Sequence, residues 1–308
     1  MKIAITGATG FVGTKLVEKL VSDNQVIILT RDINKARSIF PPKIIPNLEF
    51  VSYTPKQLGD WQKKIDGCDA IINLAGAPIA ERWNDDYKQE ILDSRQLGTK
   101  TLVSSIEQCA QKPQVLINAS AIGFYGTSET ETYTEISPAG NDFLAQVCQA
   151  WETEAQKVKN SGVRLVIFRF GIVLGNGGAL AKMIPPFKIF AGGPIGEGKQ
   201  WFSWIHREDV VEMIIQALKD SNINGTFNAT APYPVTMNEL CKTLGEVLKR
   251  PSWLPVPSFA LELLLGDGAK VVLEGQKVLP QRTMDTMNYN FRFPNLKSAL
   301  ENIIANEF

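Results

Sequence analysis

The stretch KIAITGATGFVGTKLVEKL, from Lys2 to Leu20, decides how the chain is read. It opens as a short apolar strand, closes as an amphipathic helix, and places Gly7, Gly10 and Gly13 between the two. Each glycine answers a separate demand. Gly7 permits the tight turn out of the strand, and Gly10 lets main-chain amides approach a pyrophosphate with no Cβ in the way. Gly13 lets the helix pack close to the sheet, while the helix N-terminus offers partial positive charge to the phosphates. The spacing is one residue longer at the front than the commonest dinucleotide fingerprint. Thr9, Phe11 and Val12 complete the candidate cradle.

Working outward, the next apolar run ends QVIILTRD, where the nucleotide type is chosen. A ribose 2′-hydroxyl is held there by Asp or Glu and a 2′-phosphate by a cation. Arg31 comes first and presents a fork of donors suited to phosphate, so the expected cofactor is NADP. Asp32 follows and leaves NAD as the second choice. A fourth run, DAIINLAG, ends in Leu74, Ala75 and Gly76, small enough for backbone to pass beside the nucleotide.

Six apolar runs are predicted as strands: KIAITG, QVIILT, LEFVSY, CDAIINLAG, QVLINAS and VRLVIFRF. They are continuously apolar rather than alternating, as strands buried on both faces are. Helical patterns separate most of them, at Phe11–Val21, Asp86–Cys109 and Asn141–Lys159. The expected fold is α/β: a Rossmann-like doubly wound parallel sheet with a smaller, mostly helical C-terminal lobe. Residues 1–230 form the expected nucleotide domain, with substrate loops at 171–210, and residues 231–308 the small C-terminal domain.

The 308 residues are 44% hydrophobic and 21% charged, ordinary values for a globular protein with a sizeable core. Thirty-two basic residues balance thirty-two acidic ones without a basic block, so nucleic acid and membrane surfaces are not expected partners. The four cysteines are widely spaced, which argues against structural zinc and for free thiols in a reducing, cytoplasmic compartment. No signal peptide or membrane-length apolar run is apparent.

ITGATGFVG, NLAG and SAIGFYG resemble the extended short-chain dehydrogenase/reductase and epimerase superfamily. DFLAQVCQAWE, RFGIVLGNGGALAKMIPPF, GGPIGEGKQWFSWIHREDVV, VPSFALELLLGDGA and NFRFPNLKSAL narrow the resemblance to its atypical epimerase-family group. That group includes cyanobacterial and plastid proteins described as division-inhibitor homologues. The superfamily's chemistry uses a Tyr base, a Lys four residues later and a Ser that polarises the substrate carbonyl. The resemblance puts Ser120 at the Ser position. With Glu152 matching an acid eight residues past the Tyr, Leu144 falls at the Tyr position and Cys148 at the Lys position. Neither can do the missing residue's work.

Tyr125 of GFYG is the replacement base most worth weighing, and Glu135 the second. Trp201 and Trp204 either wall a ligand pocket or pack the lobes together. His206 fits a helix start better than catalysis. Gly175, Gly177 and Gly178, ahead of Lys182, read as a flap or a phosphate loop. Arg169 points toward the cleft, to meet an anionic substrate or a buried partner. Two functions remain: an NADP(H)-dependent oxidoreductase or epimerase acting on a small carbonyl or sugar-nucleotide substrate, and a non-catalytic NADP(H)-binding regulator acting through a protein partner, for example in cell division.

Overall fold

The computed structural model describes residues 1–41 and 47–307. Seven parallel strands form one sheet: β1 (Lys2–Thr6), β2 (Gln25–Thr30), β3 (Leu48–Ser52), β4 (Ala70–Asn73), β5 (Val115–Ala121), β6 (Arg164–Phe170) and β7 (Gly225–Ala229). Their spatial order is β3-β2-β1-β4-β5-β6-β7. The chain runs outward from β1 to β3, then returns to β1's other side as β4. The connections therefore part between the carboxyl ends of β1 and β4, where a doubly wound sheet opens its ligand crevice.

The six predicted strands are all present, and their unbroken apolarity has a direct cause. Ile3 and Ile5, Val26 and Ile28, and Val166 and Phe168 enter one core. Ala4, Ile27, Leu29, Leu165 and Ile167, from the alternate positions, enter a second core on the opposite face. The seventh strand was not expected. GTFNA is short, starts on glycine and mixes polar residues, so it lacks the signature of a strand with two buried faces.

Helices α1 (Phe11–Leu20), α2 (Ile33–Ile39), α3 (Trp61–Ile65), α4 (Asp85–Gln108), α5 (Phe143–Gln156), α6 (Gly178–Lys188) and α7 (Arg207–Lys219) accompany the sheet. The three predicted helices match α1, α4 and α5 to within a few residues; α5 continues as a 3₁₀ turn over Lys157–Ser161. Helices α8 (Met237–Leu248), α9 (Ser258–Leu265), α10 (Lys270–Leu273), α11 (Gln281–Asp285) and α12 (Leu296–Glu307) make the C-terminal region mostly helical. Its core draws Leu240, Leu244, Leu300 and Ile303 together with Leu174, Phe187, Phe202 and Trp204 of the preceding segment, 171–210. Among the described residues no helix is long and apolar enough to cross a membrane.

Candidate functional site

The glycine turn sits at the crevice. Gly7 has φ +69°, and a Cβ built on it would lie 2.7 Å from the Leu74 carbonyl carbon. At Gly13 a Cβ would lie 2.3 Å from the Gly7 oxygen, so α1 touches the turn it follows. Gly10 closes the loop by donating its N–H to the Gly7 carbonyl at 2.9 Å. Gly10 is also the N-cap of α1. No side chain caps that end and no acid stands in the first turn. The positive end of the helix dipole is left to whatever occupies the crevice, which fits a pyrophosphate. Thr9, Phe11 and Val12 lie half-buried around it.

A buried polar ladder props the floor. Thr6 Oγ1 donates to Asn73 Oδ1 at 2.6 Å and accepts from the Leu74 and Ala75 amides at 3.2 and 3.3 Å. Asn73 in turn donates to Thr99 Oγ1 and to Asn118 Oδ1. The β4 end is thereby fixed beside the glycine turn, with Gly76 exposed at the edge. Sequence reasoning missed this ladder. Its signal was the small polar residue, Thr6, Asn73 or Asn118, late in three otherwise apolar strands.

Two cations stand near the carboxyl ends of the strands. Arg31 is exposed just past β2. Asp32 beside it accepts from the Lys35 amide at 2.9 Å as the N-cap of α2, so its carboxylate has a structural occupation. The second cation, Arg95 of α4, was not anticipated, because it reads as an ordinary residue of a polar helix face. Its guanidinium donates to the Ile91 and Ala77 carbonyls at 3.1 and 3.0 Å and lies over Trp151, 5.2 Å from its centroid. A Cβ on Gly76 would come within 2.9 Å of it. Burial pulls its pKa down, and no carboxylate pairs with it among the described residues. A half-buried cation so placed is suited to an anion bound at the β4 end.

The groups expected to handle protons are drawn into one buried network. Ser120, 2% exposed, donates its hydroxyl to Glu152 Oε1 at 2.6 Å. Glu152 is clasped by Arg169 through two hydrogen bonds of 2.8 Å. Arg169 also donates to the Tyr125 hydroxyl at 2.9 Å, and that hydroxyl donates to Asn228 Oδ1 at 2.7 Å. The Tyr125 pKa is pushed up to about 12 by burial, against the opposing pull of Arg169. Arg169 thus meets a buried partner. The Cys148 thiol is likewise pushed up to about 12 by burial, so it is neutral. Leu144 and Cys148 line up against the Ile122–Tyr125 turn: a Cβ on Gly123 would lie 3.4 Å from Leu144 Cβ and 3.9 Å from Cys148 Sγ.

Glu135 is not a solvated loop acid but an anchor behind Asn228. Its carboxylate accepts from the backbone amides of Asn228, Arg282 and Thr283, pinning α11 to β7. The loop glycines fold onto the cradle. Hypothetical Cβ atoms on Gly175 and Gly177 would come 3.0 and 2.9 Å from the Phe11 ring. Arg207 stacks on that ring, 4.8 Å from its centroid. Lys182 of α6 reaches the Ala80 carbonyl at 3.2 Å.

Trp204 is fully buried in the C-terminal core, so it packs the lobes together. Trp201 is half-buried and donates to the Glu129 carbonyl at 2.8 Å. His206, 1% exposed, caps α7 through Nδ1 and stacks on Phe293 at 4.0 Å. Asp209, next on α7, accepts from the Arg292 and Phe293 amides and the Tyr289 hydroxyl. WIHRED is therefore the clamp between sheet and tail.

A parallel sheet of this order, with a three-glycine turn and an uncapped helix at its switch point, defines a Rossmann-type α/β protein with a dinucleotide cradle. The chain belongs to the NAD dependent epimerase/dehydratase family, whose model matches residues 3–230. A second model, a domain of unknown function (DUF1731), matches residues 256–303. The chain is 48% identical to the chloroplastic epimerase family protein SDR39U1 homolog of Arabidopsis thaliana, over 99% of this chain and 87% of that one. It is 40% identical to the epimerase family protein YfhF of Bacillus subtilis, over 99% of this chain and 98% of that protein. The crystal structure of human epimerase family protein SDR39U1 (isoform2) with NADPH superposes with a TM-score of 0.86. That pair is 33% identical over 99% of this chain and 100% of the human one.

Proposed function

We propose that the crevice holds NADP(H) and that the protein is an oxidoreductase acting on a small carbonyl compound. The single observation that carries this is the cradle: Gly7 and Gly13 sit where a Cβ would strike backbone, beneath an uncapped helix N-terminus. Gly7, Thr9, Gly10, Phe11, Val12 and Gly13 would hold the diphosphate, with Leu74, Ala75 and Gly76 beside it. Arg31 would meet the 2′-phosphate and Arg95 a second anionic oxygen. The human relative crystallised with NADPH supports this choice over NAD.

When bound, the reduced nicotinamide supplies hydride to a carbonyl carbon. The carbonyl oxygen then needs a proton, and α5 has none to give: Leu144 carries no acidic hydrogen and Cys148 is a neutral, weakly acidic thiol. Ser120 has its hydroxyl hydrogen committed to Glu152, and Tyr125 is enclosed. We assign Ser120 the orienting of the substrate oxygen by a lone pair through water, and Tyr125 the bracing of Arg169. The proton comes from solvent. Loss of a positioned acid costs about 10²–10⁴-fold in rate, so turnover is slow. The four free buried cysteines fit a reducing, cytoplasmic compartment; the Arabidopsis relative is chloroplastic.

A second reading, a non-catalytic NADP(H)-binding regulator, draws on the same locked groups: a network that holds both Ser120 and Tyr125 is suited to rigidity. Oxidation of bound NADPH across a panel of carbonyl compounds separates the two. The oxidoreductase reading expects slow, carbonyl-dependent loss of NADPH absorbance, at least tenfold slower in Ser120→Ala. Tight binding with no oxidation by any carbonyl contradicts it and favours the regulator.

A further inference from the structure

Where the superfamily places its proton-handling pair, this chain builds an apolar wall. Trp83, Ile91 and Val147 are buried together, with half-buried Phe143, Leu144 and Val271 packed against them. Trp83 and Phe143 meet edge to face at 5.4 Å. The wall spans the cleft, since Val271 comes from the C-terminal region and the rest from the β4–α4 loop, α4 and α5. Its rim is α9, SFALELLL, which buries none of its residues. Phe259, Leu263 and Leu264 are 70%, 76% and 64% exposed. Helix α9 is seated on the wall: the Leu265 carbonyl accepts from the Trp83 amide and the Leu263 carbonyl accepts from Arg82. Helices of soluble proteins normally bury such a face.

Most cations nearby are already occupied, and the one without a carboxylate, Arg95, lies at the Gly76 edge assigned above to the cofactor. Lys88 is paired with Asp267, Arg82 with the Leu263 carbonyl, Lys182 with the Ala80 carbonyl and Arg169 with Glu152. A sugar diphosphate entering here beside a bound cofactor would lose water around two negative charges with no unengaged cation among these groups to replace it. An uncharged apolar body would instead gain from every apolar surface it removes from water.

We propose that the ligand taken beside the nicotinamide end is an uncharged carbonyl compound with an alkyl or aryl body, not a sugar nucleotide. This deepens the oxidoreductase reading and rests on it for the place of the cofactor. Lys277, lying on the Trp201 ring at 4.6 Å, is the cation on which the competing sugar-diphosphate mode is tested.

The test is calorimetric titration of protein loaded with NADPH, loading being followed by nicotinamide fluorescence. The ligands are the ketones 2-hexanone, 2-octanone and 2-decanone, and UDP-glucose. Saturable ketone binding is expected to tighten roughly tenfold for each added pair of methylenes. Leu144→Ser and the exposed-rim variant Leu263→Ser should each weaken 2-decanone several-fold, and UDP-glucose should not bind. The rim variant needs no core repacking, so misfolding of the first would not remove the test. Saturable UDP-glucose uptake that Lys277→Ala abolishes overturns the inference, as does ketone affinity independent of chain length or of both leucines. Failure to load NADPH overturns the nucleotide reading separately, and the ketone series on that protein still judges the wall.

Discussion

At the scale of single residues, the Glu152–Arg169 pair organises everything behind the cleft. Both are almost wholly enclosed, and between them they hold Ser120 and Tyr125. Removing one charge would leave the other buried without compensation, which typically costs about 3–5 kcal/mol. Glu152→Gln is therefore expected to lower the unfolding free energy read from urea titration by that amount, while NADPH affinity changes less than threefold because the pair lies behind the cradle rather than in it. Loss of NADPH binding with unchanged stability would show that the pair serves the ligand directly. The glycines of the cradle were legible from the first thirteen residues because each had a distinct steric duty. Arg95 was not legible, because what distinguishes it is the Gly76 edge and the missing carboxylate, and both exist only once α4 lies under β4.

Among elements, the strands announced themselves through a pattern with a plain cause: alternate residues enter two different cores, so consecutive positions are apolar. The same rule hid β7, an edge strand whose Asn228 side chain serves Tyr125 and the Leu279 carbonyl instead of a core. Helix α7 does a job that its sequence hinted at. His206 caps it and Asp209 seizes three donors of the tail. Asp209→Ala would strand the Arg292 and Phe293 amides, each buried unpaired group costing about 1–3 kcal/mol. Faster amide exchange over residues 287–303, with β1 and β5 still protected, is the expected signature. Uniform exchange throughout the protein would mean that the clamp belongs to the global core.

For the whole molecule, the crevice between β1 and β4 joins two chemically different halves. On one side lie bare amides, a helix N-terminus, Arg31 and Arg95; on the other, an apolar wall spans two lobes. The nucleotide half was readable because phosphate recognition is local, packed into one turn and one strand end. The ligand half was not, since Trp83, Leu144 and Val271 are far apart in the chain and meet only in the folded molecule. The cradle is the part on which every later step depends. Calorimetry of the wild type and Arg31→Ala with NADPH and with NADH tests it most directly. Charge-assisted bonds worth about 1.5–3 kcal/mol predict that NADPH binds roughly ten- to hundredfold tighter than NADH and that the substitution erases this preference while leaving NADH unchanged. Equal affinity for the two coenzymes in the wild type, or uptake of neither, would contradict the account.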